Sequence, residues 1–287
     1  MLRLVRNRRR WVKVVAIANQ KGGVGKTTTA VNLSAGLARR GHPTLLVDLD
    51  PQANATSGLG LEAGPDDTLY HPLIGREVAA SKIRSTRIEG LSVIPSAMDL
   101  AGAEIELARS SRHLVRLSEV IGELRPAAPF AFCVLDTPPS LGVLMTSSLA
   151  AADEVLIPLQ CEWFGLEGLA KIVHIIEQIR ASGANPGMRL EGIVMTMFDG
   201  RTNLSRQVVE EVGHYFPDQL YRTLIPRSIR IGEAPSHGLT IFEHDRHGAA
   251  TLAYEALCDE FLVRRTVSGP LLARGAIPLD RGNPSPA

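Results

Sequence analysis

The chain has 287 residues, 45% of them hydrophobic, and 31 lysines and arginines stand against 30 aspartates and glutamates. A formal net charge of +1 excludes a molecule built wholly around a polyanion, and no apolar run approaches the roughly 20 residues that a bilayer span needs. Cys133, Cys161 and Cys258 lie far apart with no C-x-x-C pair, which excludes a disulfide scaffold and suits buried thiols in a reducing cytosol.

Basic charge is concentrated at the start, in Arg3, Arg6, Arg8, Arg9, Arg10 and Lys13. Residues 1–11 read as a flexible basic extension, either a solvated tail or an added attraction for nucleic acid or anionic lipid. They are not a secretory signal, because the apolar stretch that follows is short and runs straight into a glycine-rich loop. Residues 12–18 predict a strand and residues 28–40 a helix. Between them stands Gln20-Lys21-Gly22-Gly23-Val24-Gly25-Lys26-Thr27-Thr28.

Strand, glycine turn and helix form the context of a phosphate-binding loop. Glycines let successive backbone N–H groups converge on phosphate oxygens, and the helix N-terminus favours negative charge. Lys26 is placed to neutralise β- and γ-phosphates and the Thr27 hydroxyl to ligate Mg²⁺. A merely flexible turn is the bland alternative, although few other uses are known for this pattern in this context. Gln20 stands where the ordinary pattern has glycine, and Lys21 is an additional lysine.

Short apolar runs recur at residues 44–47, 91–94, 130–135, 155–157, 193–195 and 223–225, mostly without polar alternation. Strands buried on both faces of a parallel sheet read this way. Residues 166–181 and 204–215 carry helix-spaced apolar positions. The expected fold is one doubly wound α/β domain over residues 12–264, a mostly parallel sheet with helices on both faces. A last helix is expected at 249–264. Residues 265–287 are rich in glycine and proline and expected to be disordered; Pro270, Gly275 and Pro278 interrupt the apolar positions and argue against a membrane-binding helix.

Two strand ends carry acids. Asp48 and Asp50 close one strand and project from the same side if the chain stays extended. Asp136 closes another, ahead of Thr137-Pro138-Pro139. Each alone could be a turn former, but together beside a phosphate loop they favour metal-assisted hydrolysis, which needs the γ-phosphate charge spread and a water oriented in line. Asp50 is the candidate for positioning that water, with Asp136 and Asp48 supporting the metal.

The segments Lys21-Gly22-Gly23-Val24-Gly25-Lys26-Thr27-Thr28, Asp48-Leu49-Asp50-Pro51-Gln52 and Asp136-Thr137-Pro138-Pro139 resemble the deviant Walker A ATPases. Within these, Ala101-Gly102-Ala103-Glu104-Ile105-Glu106-Leu107 and Ile225-Pro226-Arg227-Ser228-Ile229-Arg230 look like the ParA/Soj chromosome-partitioning proteins. The resemblance covers residues 12–263. It implies a slow, Mg²⁺-dependent ATP hydrolase that forms a homodimer with ATP bound. Lys21 would then reach across to the partner's phosphates, which agrees with the difficulty of fitting two lysines of one tight loop onto one γ-phosphate. Gly22 would stay small where the subunits approach. The resemblance places Met197, Pro226 and Arg227 around adenine, and Arg201 and Arg230, with Arg206 as a weaker companion, on double-stranded DNA bound without sequence preference. It further implies a ParB-like centromere-binding partner that stimulates hydrolysis, and a cytoplasmic, nucleoid-associated protein without a membrane anchor. Taken singly, Met197 or Pro226 could be core and each arginine merely solvated.

Two departures stand out: Ala53 where glycine is usual, and Thr146-Ser147-Ser148. Alternatives also follow from the loop. A MinD-like division-site regulator would need a C-terminal amphipathic helix, and a nitrogenase-iron-protein-like ATPase would need cluster-ligating cysteines. A metabolic kinase would need a base for the substrate hydroxyl.

Overall fold

In the computed structural model, residues 13–127 and 130–267 are described. The basic extension and residues 268–287 of the expected tail lie outside them. The strands, in chain order, are β1 (Lys13–Ile17), β2 (Thr44–Asp48), β3 (Arg84–Ser85), β4 (Leu91–Ile94), β5 (Phe132–Asp136), β6 (Glu154–Gln160), β7 (Arg189–Phe198) and β8 (Leu220–Pro226). Among the described residues they form one eight-stranded sheet in the order β3-β4-β2-β5-β1-β6-β7-β8. Every pairing is parallel except β3 with β4.

The α-helices are α1 (Lys26–Arg39), α2 (Asn54–Gly58), α3 (Tyr70–Leu73), α4 (Leu100–Ala108), α5 (His113–Ala127), α6 (Val143–Ala151), α7 (Trp163–Ala181), α8 (Asn203–Tyr215), α9 (Ile229–Glu233), α10 (Ile241–His244) and α11 (Ala249–Val267), with α2, α3, α9 and α10 only single turns. Successive strand residues point to opposite faces, and here both faces are covered. Val14 and Ala16 of β1 pack with α5, α6, α7 and α8 through Leu117, Leu144, Ile172 and Val208. Val15 and Ile17 pack with α1 and α11 through Leu33, Leu37, Leu257 and Phe261. That two-sided burial is why the strands read as unbroken apolar runs, and it produces the doubly wound single domain expected from them.

Two elements differ from the sequence reading. Strand β3 has only two residues, paired antiparallel as Arg84↔Val93 and Ser85↔Ser92, too short to leave a periodic signal. Helix α11 runs on to Val267, past the end expected at Arg264. Its last turn is held by Arg265, whose guanidinium pairs with Glu154 and Glu191 at the amino-terminal edge of the sheet.

Helices α1 and α11 meet closely at Gly36, where an added Cβ would lie 2.3 Å from Cys258 Sγ and 3.2 Å from the Phe242 ring. Alanine raises helix propensity by about 1 kcal/mol, but overpacking a closed core costs about 1–3 kcal/mol or more. We expect Gly36→Ala to lower stability in urea unfolding; a variant as stable as the parent would contradict this packing.

Candidate functional site

Strand β1 lies between β5 and β6, the point where successive connections of the chain turn to opposite sides of the sheet. In open α/β sheets the crevice outside the carboxyl ends at this point binds ligands. The loop there is anchored by Asn19, which is 1% exposed. Its amide donates to the Pro158 carbonyl at 2.8 Å and its Oδ1 accepts from the Lys21 N–H at 3.0 Å. Gly23 (φ 74°) and Gly25 (φ 87°) take left-handed backbone that a side chain would strain. Gly25 is the residue before α1, so the loop delivers its backbone directly to a helix N-terminus. The Val24 carbonyl is held at 2.8 Å by the Thr196 hydroxyl.

A cleft of about 710 Å³ opens above this loop. Gly22, Gly23, Gly25, Lys26, Thr27 and Thr28 line it together with Met197, Pro226 and Arg227. The pairing of β7 with β8, which sets Phe198 beside Pro226, brings Met197 and Pro226 together. Met197 has φ 52°, a left-handed conformation uncommon for a residue with a side chain. A phosphate at the loop end and a planar apolar group between Met197 and Pro226 would fill this shape.

Lys26 is 6% exposed, and its Nζ donates to the Lys21 carbonyl at 2.9 Å. Burial lowers its pKa, while nearby Asp136 and Asp50 favour the charged form. An anion in the cleft would further favour the charged form of this ammonium. Asp136 lies fully buried beneath the loop, and neither carboxyl oxygen makes a hydrogen bond of ordinary length among the described residues. Burial first, and then the Asp48 charge, push its pKa well up; the Thr27 hydroxyl stands near enough only to soften this. A buried, poorly satisfied carboxyl beside a threonine hydroxyl fits an oxygen-coordinated divalent cation. Among the described residues no cluster of three or more His, Cys, Asp or Glu forms a cage, so such a cation would take most ligands from water and phosphate, the habit of Mg²⁺.

Asp48 and Asp50 do not share a side. Strand β2 ends at Asp48, and the chain turns, so that Asp50 lines the cleft and Asp48 does not. Asp48 Oδ1 accepts from the Asp50 N–H at 3.2 Å, and Oδ2 accepts from the Thr56 N–H at 2.9 Å and hydroxyl at 2.7 Å. Burial raises its pKa to about 6. Both oxygens of Asp48 are thus engaged in holding the turn after β2. Asp50 accepts from the Gln52 N–H through Oδ1 at 3.0 Å, which leaves Oδ2 for the cleft.

Lys21 turns away from its own cleft. Its Nζ pairs with Glu162 Oε2 at 2.8 Å, and Glu162 also accepts from Gln160 at 2.6 Å. An added Cβ on Gly22 would meet nothing nearer than Pro139 at 3.9 Å, so the protomer's own packing does not demand glycine there. Ala53, the departure noted above, has φ 54°, which glycine would adopt without strain.

The arginines expected at DNA lie outside the cleft. Arg201, 90% exposed, is gripped by Asp199 at 2.9 and 2.7 Å. Arg230 on α9 pairs with Glu233 at 3.0 Å, and Arg206 on α8 donates to Asn203 at 2.7 Å. The three cysteines are buried and form no disulfide. Sequence reasoning gave no role to Asn19, Glu162, Thr56 or Ser96. Asn19 sits next to the phosphate loop and Thr56 only eight residues after Asp48, so position was a usable signal for both; Glu162 and Ser96 reach the site from distant segments.

A family model described as an AAA domain matches residues 12–190. The chain is 44% identical over 269 residues to the chromosome partitioning protein ParA of Myxococcus xanthus, covering 92% of this chain and 94% of that one. It is 45% identical over 249 residues to the sporulation initiation inhibitor protein Soj of Bacillus subtilis, covering 86% and 97%. Among solved structures it is similar to cobyrinic acid a,c-diamide synthase from Mycobacterium smegmatis with bound ATP analog and magnesium, with a TM-score of 0.77, 32% identity, and coverage of 90% and 96%.

Proposed function

The chain belongs to the ParA/Soj family of chromosome-partitioning ATPases, and from that membership we propose that it is an ATP-driven switch. ATP binds in the cleft with Mg²⁺, joins two copies face to face, and so creates a dimer that holds double-stranded DNA without sequence preference. Hydrolysis, slow alone and stimulated by a ParB-like partner, releases the DNA. The working location is then the nucleoid in the cytoplasm. Thr27 and Asp136 hold the Mg²⁺, which supplies charge neutralisation at the γ-phosphate. Lys26 binds the phosphates of its own nucleotide. Met197, Pro226 and Arg227 receive the adenine, and Asp50 orients the attacking water.

The observation that carries this reading is the divergence of the two loop lysines. Lys26 is drawn inward, 2.9 Å from the Lys21 carbonyl, while the Lys21 ammonium points outward to Glu162 at 2.8 Å. A cation on the rim of the cleft, held by a half-exposed carboxylate, is free to serve a neighbour's ligand. Gly22 supports the same reading, because the space beside it is open within the protomer and a facing subunit would need it.

The test is DNA retention by the full chain with ATP, ADP or a non-hydrolysable analogue. Binding is expected with the triphosphates, to fall steeply as salt rises, and to be weak with ADP. Charge reversal at Arg201 or Arg230 is expected to weaken retention about tenfold and to flatten the salt dependence, as loss of phosphate contacts does. Equal retention with ADP, or an Arg230→Glu variant that binds like the parent, would overturn the switch. No described helix is long and apolar enough to cross a membrane.

A further inference from the structure

We propose that Ser96 and Thr56 are positioning residues for Asp50, and that the loop after β4 thereby sets the geometry of ATP hydrolysis. This inference rests on the nucleotide reading above. Asp50 lies beyond the end of β2, so no sheet ladder holds its backbone. Every backbone polar group near a buried site needs a partner, and here two come from the turn itself and one from a distant segment. The Asp50 N–H donates to Asp48 at 3.2 Å, while its carbonyl accepts from the Ala53 N–H at 2.9 Å and from the Ser96 hydroxyl at 2.7 Å.

Ser96 is itself fixed. It is 1% exposed, and its N–H donates to the Thr56 hydroxyl at 2.9 Å. That hydroxyl in turn donates to Asp48 Oδ2 at 2.7 Å. A closed circuit therefore runs Asp50–Asp48–Thr56–Ser96–Asp50. It is formed of hydrogen bonds among groups almost wholly removed from water, where each bond is strong and an unmade one is costly. Within this circuit only the Asp50 carboxylate faces the cleft. One of its oxygens is tied to Gln52, so the direction of the other depends on where the backbone is held. Water positioning is sensitive to displacements well below 1 Å, whereas binding of the triphosphate rests on the phosphate loop and the far wall of the cleft. Loss of the circuit should therefore act on turnover and spare binding.

The experiment uses the full chain and measures ATP turnover, KM for ATP and melting temperature for the parent, Ser96→Ala, Thr56→Val, Thr56→Ser and Asp50→Ala. Ser96→Ala and Thr56→Val are expected to lower kcat by about tenfold with KM changed less than about twofold, while Thr56→Ser, which keeps the hydroxyl, stays near the parent. The inference is overturned if Ser96→Ala turns over like the parent, or if Thr56→Ser loses as much as Thr56→Val. It is also overturned if kcat, nucleotide affinity and melting temperature decline together, which is what a merely structural role gives. A parent without turnover, or an Asp50→Ala variant as active as the parent, overturns the nucleotide reading and this inference with it; an active parent with an inactive Asp50→Ala confines any failure to Ser96 and Thr56.

Discussion

Asp50→Ala is expected to bind ATP as the parent does and to hydrolyse it about 10²–10³-fold more slowly, the range seen when a group that orients or deprotonates a nucleophile is removed. Asp50 lines the cleft, and one of its carboxyl oxygens is left free by the Gln52 contact. Its charge is repulsive toward a bound triphosphate, so binding gains nothing from it in the ground state. Any benefit arises when a water is drawn into line with the γ-phosphate. That difference between ground and transition state separates Asp50 from Lys26, whose replacement by alanine should abolish nucleotide binding. Equilibrium binding of a fluorescent ATP analogue, together with phosphate release, distinguishes the two. An Asp50→Ala protein that fails to bind, or one that hydrolyses normally, would remove Asp50 from the role given to it.

A second large effect is expected far from the cleft. Arg265 is 16% exposed at the side chain and joins Glu191, at 3.1 Å, to Glu154. Its guanidinium also lies 3.3 Å over the Phe261 ring and donates to the Phe261 carbonyl at 2.7 Å. Glu154 keeps Arg189 at 2.7 Å and Lys13 at 3.6 Å if Arg265 is lost. Glu191 keeps the Tyr221 hydroxyl at 2.6 Å and the favourable charge of Arg264.

Removing the direct ion-pair partner of a buried carboxylate costs about 3–5 kcal/mol, and we expect Arg265→Ala to lose about that much in denaturant unfolding. The same loss is expected when the chain is ended at 264, but not when it is ended at 267. Lysine should not restore it, because a point charge cannot serve two carboxylates and an aromatic face together. Burial already raises the Glu191 pKa against the pull of Arg265, and losing Arg265 raises it further. A carboxyl whose folded pKa lies above its unfolded value binds more protons when folded, so stability increases as pH falls through that pKa. The deficit of the variant should therefore shrink from pH 7 toward the ordinary carboxylate range. An Arg265→Ala protein as stable as the parent would contradict the assignment. The network lies at the opposite edge of the sheet from the cleft, so nucleotide affinity of the folded variant should be unchanged.

The phosphate loop was fully legible in the sequence because its chemistry is local. Glycines that take left-handed backbone, a lysine and a threonine follow one another, and the strand and helix at either side announce themselves by their own apolar patterns. The doubly wound sheet was legible for a related reason. Residues buried on both faces cannot alternate with polar ones, and β1, β2, β5 and β6 carry that constraint in consecutive positions.

The extended geometry assumed for Asp48 stops at that very residue. The turn sends Asp50 into the cleft and spends Asp48 on Thr56. No pattern near Asp50 points to Ser96, 46 residues away, and none near Lys21 points to Glu162, 141 residues away. Arg265 looked like the start of a tail until the fold set it against β6 and β7. Residue type and local periodicity thus determined the loop, the strands and the nucleotide chemistry they imply. Which carboxylate stays free, which is consumed and which cation turns outward were decided by the packing of β4, β6 and α11, since the ends of a parallel sheet bring together segments whose spacing along the chain carries no record of their meeting.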